Sequence, residues 1–289
     1  MKDRVLVTGA SGGLGKAFAA ECAARGWDLC LTDRSEAALT LLAAGLERMY
    51  GVDVAWRAAD LTVPADREEL WADLAARGET LCMAVNVAGL DFEGPFTERT
   101  SEELCTIVRV NIESVVAVTH SALTFRNPMK PFAVINVSSL AGFQPMPVKA
   151  VYAASKRFLL DLSIALGREM KSQGVTFTAL CPAGMPSNPQ VIRAIDAQGF
   201  LGQLTTMNVG TVASRTLDRA VRRSSVYVPG VLNTVVGAVS RLIPPGWTAA
   251  WVGRRWEKAR ARASAPNPTP EPSVGTEVVS RRRYAGIPG

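Results

Sequence analysis

The sequence predicts an α/β fold, a doubly wound parallel sheet of about seven strands, and three observations carry that expectation. Short apolar runs alternate with longer helical patterns along most of the chain. A glycine-rich turn joins the first apolar run to the first helix. With 289 residues, 48% of them hydrophobic, the chain can fill one substantial core.

Each element follows from its local pattern. Arg4 to Thr8 reads as a buried strand, Gly15 to Arg25 as an alanine-rich helix stopped at Gly26, and Asp28 to Thr32 as a second strand. Glu36 to Ala44 is helical, Val52 to Ala58 a third strand, Ala65 to Arg77 a helix and Leu81 to Val87 a fourth strand. A long helix is expected from Ser101 to Phe125, then a strand from Phe132 to Val137. Val151 to Met170 is a further helix, Val175 to Leu180 a strand, and Val226 to Val228 a last short strand. This order divides the chain into one α/β domain over 1–240, with a cover segment near 186–215. Beyond it lie an amphipathic or packing appendage over 241–263 and a tail over 264–289, which is rich in proline, serine and charge and expected to be disordered.

Composition narrows the function classes. The net charge of +6 lies entirely beyond position 240, where nine basic residues face three acidic ones, so the body is neutral and no nucleic-acid face is expected. Five cysteines without a CxxC pair and a single His120 exclude a zinc site by spacing, and no metal is expected. The chain begins directly in a strand pattern and its late apolar run is too broken to span a bilayer, so a cytoplasmic protein is expected.

The turn Thr8-Gly9-Ala10-Ser11-Gly12-Gly13-Leu14-Gly15 lies between the first strand and the first helix. Glycine there permits a tight turn and close approach of a pyrophosphate to exposed N–H groups at the helix start. Asp33, ending the second strand, is placed to bond an adenosine ribose and repel a 2′-phosphate, whereas the adjacent Arg34 attracts one. NAD(H) is favoured and NADP(H) stays open. Asp60 and Leu61 are placed to meet the adenine end, and Asn86-Val87-Ala88-Gly89 lies where a loop either touches the cofactor or ties strands together.

The pattern Tyr152-Ala153-Ala154-Ser155-Lys156 sets a phenol and an ammonium one helical turn apart on one face. Moving a tyrosine from its usual pKa to neutrality takes roughly 4 kcal/mol of preference for phenolate, a magnitude that a nearby lysine charge reaches at intermediate dielectric. Lys156 is therefore expected to lower the Tyr152 pKa, leaving Tyr152 able to exchange a proton with an alcohol or carbonyl oxygen. Ser139, thirteen residues upstream in NVSSLAG, is placed to hold that oxygen, and Asn111 to hold a water that relays protons to Lys156.

In this combination the chain resembles the classical short-chain dehydrogenase/reductase family over about residues 3 to 235. TGASGGLG resembles the family's TGxxxGxG signature, Asp60 its adenine-side acid, and Asn86 to Gly89 its NxAG element. The resemblance implies a Rossmann-like fold and a catalytic tetrad of Asn111, Ser139, Tyr152 and Lys156, with Lys156 also on the nicotinamide ribose. It implies cofactor contacts from Gly9, Ser11, Gly12, Gly13, Leu14, Gly15, Asp33, Arg34, Asp60, Leu61, Asn86, Ala88, Gly89, Tyr152, Lys156, Pro182 and Ser187, together with a homodimer or homotetramer. The chain departs from the family after the sixth strand, where Ala183 replaces the usual glycine and Ser187 the usual threonine.

Ile192, Ile195, Phe200, Leu201, Leu204 and Met207 give the expected cover an apolar character, which favours a hydrophobic small-molecule substrate. The expected ranking is a steroid or bile-acid-like alcohol, then a fatty acyl ketone, then a smaller secondary alcohol; a non-catalytic nicotinamide sensor is the alternative class. Leu242 to Ala263 combines tryptophans with a basic rim, as a packing arm, a substrate cover or a peripheral membrane contact would.

Overall fold

The computed structural model describes residues 3–184, 207–240 and 242–263, the last nine of these by backbone alone. The parallel strands are β1 (Asp3–Thr8), β2 (Asp28–Asp33), β3 (Val54–Ala58), β4 (Thr80–Asn86), β5 (Phe132–Val137), β6 (Val175–Leu180) and β7 (Val226–Tyr227). They lie in the order β3-β2-β1-β4-β5-β6-β7, so the direction of winding reverses between β1 and β4. A crevice opens at the carboxyl ends of the strands at such a reversal.

The double winding is written in alternate side chains. Val5, Val7, Leu29 and Leu31 pack on one face with Phe18, Leu39 and Leu217, while Leu6, Cys30 and Ala84 pack on the other with Leu70, Leu74 and Val118. Successive strand residues point to opposite sides, so a strand covered on both faces must be apolar throughout. The first face carries α1 (Gly13–Ala24) and α2 (Glu36–Tyr50); the second carries α3 (Pro64–Ala76), α4 (Ser101–Val108), α5 (Ser114–Thr124) and α6 (Ala150–Glu169). α7 (Val209–Val221) returns to α1, and α8 (Val231–Ser240) and α9 (Pro245–Ala263) follow β7.

Three differences from the sequence reading have local causes. α2 continues through Gly45 to Tyr50 and ends where Gly51 adopts φ +68°, so the effective stop is the left-handed glycine, not the first one. The helix expected over 101–125 is divided by a π-helical turn, Arg109–Glu113, centred on the fully buried Asn111. Residues 209–215, within the expected cover, instead begin α7, whose Val212, Ala213 and Leu217 are fully buried against the core. The rest of that segment, 186–206, and the tail over 264–289 lie outside the described residues.

At the amino-terminal edge of the sheet Arg4 is 1% exposed and bonds Asp53 at 2.6 Å, Glu79 at 2.5 Å and the Leu29 carbonyl at 3.0 Å. Burial lowers the guanidinium pKa, but the two carboxylates outweigh it and the net shift is upward. This end of the sheet is a closed ionic plug, leaving the opposite end for chemistry.

Candidate active site

At the first strand–helix turn, Gly9 takes φ +62°, and a Cβ there would stand 2.7 Å from the Ala88 backbone nitrogen. A Cβ on Gly15 would stand 2.0 Å from the Gly9 carbonyl oxygen. Both glycines are demanded by close packing of the β1 turn against α1 and the end of β4. Gly12 caps α1 without a side-chain hydrogen bond, and no acidic residue occupies the first turn. Backbone N–H groups at Gly13 and Leu14 are thereby left to an anion.

The Thr8 hydroxyl accepts from Val87 and Ala88 N–H at 3.1 and 3.2 Å, holding the β1 and β4 ends together. The Asp33 carboxylate accepts from Ser11 N–H at 3.0 Å and from Arg34 N–H at 2.7 Å, which fixes it beside the glycine turn; the Arg34 side chain is exposed. Asp60 sits at the end of β3. Burial pushes its carboxyl pKa up, but hydrogen bonds from Thr62 and the charge of Arg34 bring the net shift below the ordinary value. Leu61 beside it is buried in the core and Gly89 is exposed. These groups fit a dinucleotide: an open helix amino terminus for phosphate and a fixed carboxylate for a ribose.

Asn86 behaves differently from the expectation of a cofactor contact. Its Nδ2 donates to Thr119 at 3.0 Å and to Asn136 at 2.8 Å, and Asn136 donates in turn to Ser163 at 2.9 Å. This chain of buried amides and hydroxyls links β4, β5, α5 and α6 behind the crevice, so the Asn86 amide nitrogen serves the scaffold.

Tyr152 and Lys156 sit on the first turns of α6. The Lys156 Nζ lies 5.5 Å from the Tyr152 ring centre and donates to the Val137 carbonyl at 3.0 Å; the Ser139 hydroxyl accepts from Ala141 N–H at 3.1 Å and favours the ionised form of Tyr152. Asn111 accepts from Leu90 N–H at 2.7 Å and donates to the Leu90 carbonyl at 2.9 Å and the Ser155 hydroxyl at 3.0 Å. It therefore grips the backbone after β4 and reaches α6 through Ser155. Four distant segments converge here.

The electrostatics reverse part of the expectation. Burial, reinforced by Asp91, pushes the Tyr152 phenol pKa up, opposed by the Ser139 hydrogen bond and by Lys149. Burial lowers Lys156 to about 8 against the opposing pull of Asp91 and Cys181. A desolvated lysine near neutrality is a weaker source of positive charge than the helical spacing implies.

Several residues escape sequence reasoning. Lys149 pairs with Asp91 at 2.7 Å and Glu93 at 2.8 Å, and its Nζ lies 5.8 Å from the Tyr152 ring centre. The preceding Val148 takes φ +62° and its carbonyl accepts from Gly94 N–H at 2.9 Å, which ties the loop after β4 to the start of α6. Ser138 donates to the Lys156 carbonyl at 2.6 Å, and a Cβ on Gly142 would stand 2.9 Å from the same carbonyl. Of these, Ser138 and Gly142 lie inside NVSSLAG and so carried a sequence signal. Pro182 follows β6, its carbonyl accepting from Leu140 N–H at 2.9 Å; Ser187 lies outside the described residues.

A family model for short chain dehydrogenase matches residues 3–193. The very-long-chain 3-oxoacyl-CoA reductase of Mycosarcoma maydis is 31% identical over 85% of this chain and 71% of its own length. That of Laccaria bicolor is 34% identical over 59% of this chain, which spans about half of that protein's length (51%). Among solved structures, a 7β-hydroxysteroid dehydrogenase superposes with TM-score 0.79 at 23% identity, covering 87% of this chain and 96% of that one, a likeness of fold. A short-chain dehydrogenase from Sphingobium yanoikuyae in complex with NADPH gives TM-score 0.71 at 27% identity, covering 92% and 98%. The glycine turn, the seven-stranded parallel sheet and this match over two-thirds of the chain agree: the chain belongs to the short chain dehydrogenase family.

Proposed function

We propose that the protein reduces a hydrophobic ketone to a secondary alcohol, with a fatty acyl ketone of the 3-oxoacyl type favoured over a steroid. The observation that carries this reading is Tyr152, whose phenolate form Ser139 favours and which lines an apolar cleft together with Phe92, Phe96, Leu104, Ile107 and Val151. A long aliphatic substituent suits such a wall, and the oxygen of the reacting group meets the polar end.

The nicotinamide dinucleotide, when bound, supplies the hydride for reduction. Gly9, Ser11, Gly12, Gly13, Leu14 and Gly15 would hold its phosphates, Asp33 and Arg34 its adenosine ribose, Asp60 and Leu61 its adenine, and Ala88, Gly89, Lys156, Pro182 and Ser187 its nicotinamide half. Asp33 favours NAD and Arg34 opposes it. Ser139 orients the substrate oxygen, and Tyr152 donates its proton to that oxygen as charge develops there. Lys156 stabilises the phenolate left behind, and Asn111 holds α6 and the loop after β4 in register.

The acyl ketone stands first because both fungal relatives carry that activity in name, one aligned over most of this chain. The steroid reading, first by sequence, retains only a shared fold and drops to second. Purified protein is offered 3-oxoacyl thioesters of graded chain length, steroid ketones and small ketones with each reduced cofactor, and cofactor absorbance is followed. A kcat/KM that rises with acyl length supports the proposal; steroid ketones outpacing every acyl substrate overturn it, and saturable cofactor binding without oxidation across the panel indicates a sensor. Mass measurement in solution tests the homodimer or homotetramer implied by family resemblance.

A further inference from the structure

α8 is an inverted helix. Its inward positions are Asn233 and Gly237: Asn233 is 2% exposed, and a Cβ on Gly237 would stand 3.4 Å from Leu140 and 3.6 Å from Phe143. Its outward positions are aliphatic, with Val231, Leu232, Val235, Val236 and Val239 between 41% and 84% exposed. Their spacing of one and four residues makes a continuous stripe. Leu242 (85%), Trp247 (75%) and Trp251 (63%) extend the exposed apolar surface into the next turn and α9.

Charge is distributed along the chain in the same sense. From Ser224 to Gly253, thirty residues contain one charged side chain, Arg241; Arg254, Arg255, Lys258, Arg260 and Arg262 then follow, against the single acid Glu257. Aliphatic surface, interfacial tryptophan and a basic run are the three ingredients of an element that lies in the headgroup boundary of an anionic bilayer. None of the helices among the described residues is long and apolar enough to cross a membrane.

We infer that α8 and the start of α9 form a monotopic docking surface for an anionic lipid bilayer, holding the candidate active site against the membrane. The attachment to the site is direct. Gln144 donates from Nε2 to the Ser240 carbonyl and accepts at Oε1 from the Thr248 hydroxyl at 2.7 Å, while Gly253 approaches Pro147. Gln144 and Pro147 belong to the segment between Ser139 and Tyr152, so the membrane-facing helices rest on the segment that joins them. The inference deepens the hydrophobic-substrate reading by naming the bilayer as the phase that delivers it, yet its test does not depend on turnover.

The full chain is floated with phosphatidylcholine vesicles containing phosphatidylglycerol, and with phosphatidylcholine alone, at low and high salt. Binding to the anionic vesicles is expected, weakened by salt and by omission of the anionic lipid. The double variant V235D/V236D, changed at exposed positions on the outward side of α8, is expected to lose vesicle binding at least tenfold with unchanged melting temperature and unchanged turnover of a small water-soluble ketone. Wild-type protein that stays with the aqueous phase overturns the inference, as does a double variant that binds like wild type. A wild-type dimer dissociated by the double variant, without vesicle binding, assigns the face to a second copy of the chain and equally overturns it. A failed ketone assay alongside intact vesicle binding refutes the catalytic proposal and leaves this one standing.

Discussion

Asn111 donates from Nδ2 to the Ser155 hydroxyl across 3.0 Å, and this bond fastens the π-helical turn between α4 and α5 to the first turns of α6. Ser155 donates its own hydrogen bond to the Tyr152 carbonyl at 2.7 Å, so the asparagine acts on the backbone that carries the phenol. Single π turns inside α-helices cost regular hydrogen bonding and persist where a side chain must be aimed. Here the aimed group is a buried amide with three bonds.

Asn111→Ala is expected to cost about 2–3 kcal/mol of stability, since it strips buried partners from Leu90 and Ser155. In a double-mutant cycle with Ser155→Ala, a coupling of about 1 kcal/mol is expected. Chemical denaturation of the four proteins measures both, and additive effects would remove the proposed linkage.

Tyr152→Phe is expected to lower turnover by about 10²–10⁴-fold, the usual span for loss of a proton donor, with cofactor dissociation nearly unchanged. Lys156→Ala is expected to lower turnover and weaken cofactor binding together. Steady-state kinetics beside fluorescence titration of the cofactor separates the two; normal turnover in the phenylalanine variant removes Tyr152 from the mechanism.

The lowered pKa of Lys156 has a consequence opposite in sign to that of a salt-bridged lysine. An unfolded lysine holds its proton to about pH 10.5, whereas the folded one releases it near 8, so folding carries a penalty below pH 8 that is relieved as pH rises between the two values. Lys156→Met is therefore expected to gain up to about 3 kcal/mol of stability near neutral pH while losing activity, a trade found where function requires a strained group. In the wild type, reductive kcat/KM is expected to fall above pH 8 as the ammonium is lost. Thermal melts of both proteins from pH 7 to 10 provide the check; a destabilised methionine variant refutes the assignment.

Asp33→Ala is expected to raise the NADP-to-NAD ratio of kcat/KM by about tenfold or more, because it removes a carboxylate fixed by Ser11 and Arg34 N–H groups beside the glycine turn, where the proposed function seats the adenosine ribose. Arg34→Ala is expected to reduce NADP use more than NAD use. A wild type already strongly selective for NADP would reverse the reading of this pair.

Arg4→Ala, at the opposite end of the sheet, is expected to cost about 3 kcal/mol, because the largely buried Glu79 loses its partner while the half-exposed Asp53 turns to water. Kinetic constants should stay near wild type below the melting transition. This contrast separates the ionic plug from the candidate active site.

The sequence by itself determined the strands, the glycine turn and the pairing of Tyr152 with Lys156 on one helix, because period-two and period-3.6 patterns and φ-demanding glycines are local properties of the chain. The seven strands fall where the apolar runs lie, and Gly9 and Gly15 meet their steric limits where TGASGGLG places them. Only the tertiary structure decided what surrounds those groups. The π turn at Asn111, the upward shift of Tyr152, the Lys149–Asp91 pair beside it and the scaffold role of Asn86 each depend on residues tens of positions apart. In sequence the aliphatic stripe of α8 is part of a late apolar run too broken to span a bilayer; which side faces the core was decided by the close fit of Gly237 on Leu140 and Phe143. Periodicity fixes that a helix has two faces, and packing against distant segments selects which one is buried.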